Sequence, residues 1–323
     1  MKKIRVAFIF HKNNIFLTGN HFDNTYYNFF IKALKRNQNL EIVNILTDDI
    51  FDCSSLIGKF DIILLWENSP FGMPKELIGI RNVEIPVICK VGDPVRAKKS
   101  KSLHEKWNIS CYFHFFHEDF FYELYPKHFN YRTIIFGLES SLYENVTPFT
   151  NRKKNKILLS GAIANKGVVS RTLNYFQNSK WSAAKFYHLR NLCSGLDMVD
   201  YTSTLNHKYV NDLYPKLLEK YSATIAAASY GVAIKYWEST AAGCLTFMEI
   251  TKKNRGNYIG FEDGVSSIFI NEQNYKAKFQ EFLDDPDNPN WEKIANSGRE
   301  HAMKNLNNDK AVSSLVELMG SLT

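Results

Sequence analysis

The chain holds no C-x-x-C pair, no internal repeat and no low-complexity tract, and each absence removes a class of function. Its five cysteines, Cys53, Cys89, Cys111, Cys193 and Cys244, are scattered and odd in number, which predicts neither a zinc site nor a disulfide framework. Cysteine usage of that kind fits a reducing cytoplasm. The N-terminal MKKIRVAFIF carries a basic end and an apolar run, but the run stops at His11-Lys12, too early for the core of a signal peptide. The longest later apolar run, roughly Ala223 to Ile234, is shorter than the ~18 residues a bilayer span needs, so no transmembrane segment is expected. No acidic cluster suited to holding a divalent cation stands out, and a metal site is not expected.

What is present is a soluble-type composition, 45% hydrophobic and 23% charged, over 323 residues. That length suits two domains of about 150 residues each. Aromatics reach 14%, with 24 Phe and 17 Tyr, enough for large cores or for a site that stacks on flat ligands. The net charge is +7, with basic runs at Arg96 to Lys101, Arg152 to Lys154 and Lys252 to Arg255. Such runs form solvated faces, or they meet an anionic membrane surface, a phosphorylated acceptor or nucleic acid.

Apolar strand runs alternate with helical patterns through both halves. Strands are predicted at Ile4 to Phe10, Leu40 to Leu46, Phe60 to Trp66, Pro86 to Val91, Cys111 to Phe116 and Thr133 to Phe136. A helix capped by Asp23 or Asn24 follows the first. Around Asn145 to Lys156 the pattern breaks into Pro, Thr, Asn and a basic run, which reads as a linker between domains 1–148 and 149–323, with terminal helices free to cross back. The alternation then restarts with strands at Lys156 to Ser160, Ala223 to Ala228 and Cys244 to Met248, and helices at Ser170 to Gln177, Asn211 to Tyr221, from Lys235, and from Asn274 onward. Continuous apolar strands joined by helices predict α/β architecture: two Rossmann-like domains with parallel sheets whose carboxyl ends face across a cleft.

The stretch Tyr230 to Leu245 reads as glycine-containing turn, helix, glycine stop and buried strand. The loop Tyr230-Gly231 lets backbone amides face a ligand, and the start of the next helix suits a pyrophosphate. Lys235 and Glu238, three residues apart, share a helical face: the lysine can meet phosphates and the carboxylate can accept ribose hydroxyls. The spacing equally fits an exposed Lys–Glu ion pair on an ordinary helix. Upstream, Ile157 to Gly161 followed by Lys166-Gly167 is a strand, a glycine loop and a lysine, a second pattern able to hold a diphosphate.

These segments resemble the donor-binding signature of the group-1 glycosyltransferases, a Glu followed by small residues, Gly and an apolar strand. They are closer still to the CgeB-like branch, which places a basic residue three positions before that Glu. The resemblance extends loosely over the last 190 residues or so, through Thr133 to Glu139, Phe261-Glu262-Asp263-Gly264 and the helical tail from Trp291 to Met319. It implies the GT-B fold, with Gly161, Lys166, Tyr230, Gly231, Lys235 and Glu238 as the donor-binding set, Glu238 on the ribose and the lysines near the phosphates. Two positions depart from the pattern. Tyr230 stands where many members carry a second Glu that touches the donor sugar, and Ala162 stands where an Arg is usual.

The implied activity is metal-independent transfer of a hexose-like sugar from a nucleotide diphosphate sugar to an acceptor hydroxyl, with no cofactor beyond that donor. The acceptor is a glycan, a lipid-linked molecule or a nucleic acid. The basic runs favour an anionic one and peripheral contact with the inner membrane face. The first half should supply any base, and His11, His21 and Asp93 are the candidates; Asp93, before Pro94, equally reads as a helix cap. A sugar-nucleotide epimerase of the same fold, a transferase acting on modified nucleic-acid bases and a non-catalytic sugar-nucleotide-binding protein are the alternatives.

Overall fold

The computed structural model describes residues 3–14, 26–67, 72–94, 97–164, 182–203 and 211–323. Chain contacts divide it into two compact units, Met1–Gly137 with Asn308–Thr323, and Leu138–Asn307.

Among the described residues the first unit is built on eight strands: β1 (Ile4–His11), β2 (Leu40–Thr47), β3 (Ile50–Asp52), β4 (Ile62–Leu65), β5 (Glu76–Ile78), β6 (Val87–Lys90), β7 (Ile109–His114) and β8 (Tyr131–Thr133). Six form one sheet in the order β2-β1-β4-β6-β7-β8, every pair parallel; β3 and β5 make a separate parallel ribbon. All four residues of β4 and of β6 are buried, as a sheet covered on both faces requires. Its helices are α1 (Tyr26–Arg36), the short α2 (Ala97–Ser100) and α3 (Leu103–Lys106), and α4 (Glu118–Leu124). In α1, Phe30, Ala33 and Leu34 are buried, while Lys35 and Arg36 occupy the last turn, where they complement the helix dipole.

Among its described residues the second unit carries five parallel strands, β9 (Ile157–Ser160), β10 (Val199–Thr202), β11 (Ala223–Ala226), β12 (Leu245–Glu249) and β13 (Ile268–Ile270), in the order β10-β9-β11-β12-β13. Helices α5 (Ala183–Phe186), α6 (His188–Cys193), α7 (Tyr214–Leu218), α8 (Lys235–Ala241), α9 (Tyr275–Asp284) and α10 (Pro289–Asn305) accompany them. One side of the sheet packs Ile157, Leu159, Ile225, Leu245 and Phe247 against Leu189 and Cys193 of α6 and Phe279 and Phe282 of α9. Asn288 caps α10, its side chain accepting the Asn290 N–H, with Pro289 at the first helical position.

The last helix, α11 (Asn308–Leu322), belongs to the first unit: it packs on α1, and Arg36 Nε pairs with Asp309 Oδ1 at 2.9 Å. The boundary between the units lies at Gly137/Leu138, eleven residues before the one expected from sequence. Residues 147–153 have a reason to be in the second unit. Phe149 is buried in its core, the Thr147 N–H donates to Glu219, and the Lys153 N–H donates to the Lys220 carbonyl.

Both sheets are Rossmann-like in their connectivity. In the first, strand order reverses between β1 and β4; in the second, between β9 and β11. The carboxyl ends of such neighbouring strands are where an open α/β sheet leaves a ligand crevice.

Candidate nucleotide-binding site

The residues that follow β9 and β11 border that crevice in the second unit. Ser160 ends β9 and Gly161 continues in the left-handed region, φ +105°. Its N–H donates to the Thr202 carbonyl at 3.0 Å, and its own carbonyl accepts the Tyr201 hydroxyl at 3.1 Å. Lys235, the first residue of α8, reaches to this strand end. Its Nζ donates to the Tyr214 hydroxyl at 2.9 Å and to Ser160 Oγ at 3.3 Å, and lies 4.3 Å above the Tyr214 ring. A Cβ on Gly161 would meet Lys235 Cε at 2.6 Å, so the lysine stem runs directly over the glycine.

Glu238 sits one turn further along α8. Its side chain is half-buried, and desolvation pushes its carboxyl up to about 7, with Lys235 opposing the shift. Lys235 gives its hydrogen bonds to Tyr214 and Ser160 and not to Glu238, so the exposed ion pair that the spacing allowed is not formed. Burial raises the buried Tyr143 phenol well above its ordinary value, and the charge of Glu238 adds to the shift.

On the β11 side, Gly231 is buried with φ +70°, the backbone that turns the chain into α8. Tyr230 is half-buried, with Lys253 Nζ 4.6 Å from its ring centroid. The strand ends are pinned from behind. The Tyr236 hydroxyl donates to the Glu249 carbonyl at 2.9 Å and accepts the Ala228 N–H at 3.1 Å. Asn254 adds bonds to the Ala228 and Glu249 carbonyls.

Sequence reasoning missed the residue that joins the two sides. Arg190, 4% exposed, donates from Nε and Nη2 to the Ala227 carbonyl at 3.1 and 2.8 Å, and from Nη1 to the Ala162 carbonyl at 2.7 Å. It clamps the loop after β9 to the chain after β11. Nothing in the pattern HLRNLC announces that role. Tyr214 and Asn254 were also missed. Glu249, an acid closing an otherwise apolar strand run, is the one with a visible signal.

The remaining candidates fall elsewhere. Lys166 and His21 lie outside the described residues. In the first unit His11 is half-buried at the end of β1; its Nδ1 accepts the Asn13 N–H at 3.0 Å and its Nε2 is 3.5 Å from Asp49 Oδ1. Asp93 follows β6 and is exposed. Lys90, which ends β6 three residues before Asp93, is 1% exposed, its Nζ donating to the Val91 carbonyl at 2.9 Å and lying 5.0 Å from the Tyr27 ring and 5.6 Å from the Trp66 ring.

The described residues contain no cluster of three or more His, Cys, Asp or Glu able to hold a metal. Asp285 and Asp287 have the D-x-D spacing, but Asp287 pairs with Lys154 and Asp285 accepts the Asn288 side chain at 3.1 Å. All five cysteines are buried and unbridged. None of the described helices is long and apolar enough to cross a membrane.

No family model matches the chain, and no curated protein matches it either. Solved structures do. The chain is similar to HepE of Anabaena in complex with UDP-glucose, with a TM-score of 0.60 and 11% identity over 98% of this chain and 100% of that one. It is similar to an α-glucosyltransferase in complex with UDP-glucose and DNA containing an abasic site (TM-score 0.59, 8% identity, 98% and 100% covered). It is also similar to sucrose-phosphate synthase of Thermosynechococcus elongatus (TM-score 0.55, 12% identity, 99% of each chain). The fold is GT-B. At such identities the likeness speaks for the arrangement of strands and helices, two Rossmann-like units in one chain, and leaves the chemistry to be argued from the residues.

Proposed function

We propose that the chain is a glycosyltransferase that binds a nucleotide diphosphate sugar in its second unit and transfers the sugar to an acceptor hydroxyl. The observation that carries this reading is Lys235, drawn across Gly161 to the end of β9 at the strand-order reversal, with the half-buried carboxyl of Glu238 one turn away. A glycine that admits close approach, a cation on a short tether and a carboxyl able to accept two hydroxyls are what a diphosphate joined to a ribose requires. Lys235 neutralises the leaving diphosphate, aided by Lys166, while Gly161, Tyr230 and Gly231 shape the cradle. UDP is the first nucleotide to test, because HepE and the α-glucosyltransferase hold UDP-glucose. Transfer of a hexose, independence from metal and membership of the CgeB-like branch complete the reading.

In the first unit His11, His21 and Asp93 are the candidate bases if the reaction inverts; if it retains, a departing phosphate oxygen can take the proton. The acceptor is anionic on this reading, in keeping with the +7 net charge, and the protein works in the cytoplasm with peripheral contact at the membrane face. A nucleic-acid acceptor is the second reading, supported by the same charge; it requires DNA binding that weakens steeply with salt.

Thermal shift against UDP-, GDP-, ADP- and CMP-sugars tests the donor, since a ligand that binds only the folded state raises its stability. Stabilisation by a UDP-sugar, followed by its turnover in the presence of EDTA, supports the reading. No shift with any of the four sinks it. Turnover that EDTA abolishes and manganese restores removes metal independence alone.

A further inference from the structure

Two buried polar atoms beside the Gly231 loop have no hydrogen-bond partner among the described residues: Ser229 Oγ and Glu249 Oε2. Ser229 is 1% exposed and Glu249 3%. Buried polar groups are nearly always hydrogen-bonded, so two orphans side by side call for an explanation. They are neighbours by construction. Ala226 pairs with Met248, so Glu249 closes β12 beside the chain that leaves β11 toward Ser229. The hydroxyl lies near enough to ease Glu249's ionisation without reaching hydrogen-bond geometry.

The surrounding backbone is already hydrogen-bonded. Tyr236 and Asn254 hold the two backbones together, and the Ser229 N–H donates to the Phe186 carbonyl at 2.9 Å. The cations nearest Glu249, Lys253 and Arg190, are engaged elsewhere, Lys253 over the Tyr230 ring and Arg190 on carbonyls. The charge of Glu272 disfavours ionisation of Glu249. No described group therefore completes the pair, and the pair stands at the carboxyl end of the sheet, one strand beyond the reversal point that Lys235 and Gly161 mark.

We propose that Ser229 and Glu249 form a hydroxyl-recognition subsite for the sugar of the donor, with Glu249 as its specificity-determining group. This rests on the nucleotide-sugar reading above. A sugar hydroxyl both donates and accepts, so a vicinal pair can donate to the carboxyl and exchange a bond with the serine, satisfying both orphans at once. The diphosphate lies on the β9 side and the sugar on the β12 side. Discrimination arises because an analogue without a hydroxyl at that place leaves a buried carboxyl unpaired.

The test compares UDP with UDP-sugars by titration calorimetry, using wild type, Glu249→Gln and Ser229→Ala, with melting curves to establish folding. UDP-glucose, UDP-galactose and UDP-N-acetylglucosamine are screened first, and the one that stabilises wild type most is used. Glu249→Gln should weaken the UDP-sugar tenfold or more while leaving UDP within about twofold; Ser229→Ala should shift the same ratio in the same direction by a smaller factor. An unchanged ratio of UDP-sugar to UDP affinity in both folded variants overturns the proposal. So does an equal loss for both ligands, which assigns the pair to loop support. Wild type that binds UDP but gains nothing from any sugar overturns the subsite alone, whereas wild type that binds no nucleotide sugar removes the reading beneath it.

Discussion

Lys235 lies across Gly161 so closely that a methyl group on the glycine would come within 2.6 Å of the lysine Cε. The cation is thus aimed by an absent side chain as much as by its hydrogen bonds. Gly161→Ala should displace the lysine and, at φ +105°, strain the backbone too. Donor affinity should fall as in Lys235→Ala, and the double variant should lose much less than the sum of the two. Calorimetric titration of the three variants checks this. Additive losses would mean the glycine acts on the donor independently of the lysine.

Glu238→Ala should weaken nucleotide binding by roughly 1.5–3 kcal/mol, about tenfold to a hundredfold, if its carboxyl takes ribose hydroxyls. A 2′-deoxyribose nucleotide should bind wild type more weakly and the variant no worse than the ribose form. Equal discrimination by both proteins would detach Glu238 from the ribose.

Arg190→Met should destabilise the second unit by about 2–4 kcal/mol, because it strips the Ala162 and Ala227 carbonyls of their guanidinium donors. Denaturant unfolding measures it. A neutral substitution would show that water replaces the clamp without loss.

Burial raises the Glu249 carboxyl from its ordinary 4.5 to about 7. The folded state then holds a proton that the unfolded chain releases. Stability is full below pH ~4.5, falls as pH rises to ~7, and is level above that. Glu238, also raised to about 7, works in the same direction. Glu249→Gln should therefore gain on wild type between pH 5 and pH 8, by up to about 3 kcal/mol, as followed by urea unfolding at each pH. A difference that stays constant across that range would show that the carboxyl titrates normally.

The strand runs were legible because a parallel sheet buried on both faces demands continuous apolar residues, as in β4 and β6. β10 escaped notice for the converse reason: in VDYT only Val199 is buried, and Asp200 is tied to Lys153 and Tyr221. The segment 145–156 reads as a linker by composition, yet Phe149 plugs the core and Arg152, 7% exposed, donates to the Thr147 carbonyl. Among the candidate site residues, Gly161, Gly231, Lys235 and Glu238 are proposed from local spacing alone. Arg190, Tyr214 and Ser229 act across the fold, 37, 21 and 20 residues from Ala227, Lys235 and Glu249 in turn, and spacing says nothing about them.

The return of α11 to the first unit makes the second an uninterrupted insert in a discontinuous host. A growing chain therefore presents residues 138–307 together, with all the described strands of that sheet available, while the earlier half still lacks the helix that rests on α1. The second unit can mature first on the ribosome. The first unit is completed only when residues 308–323 emerge and α11 packs on α1.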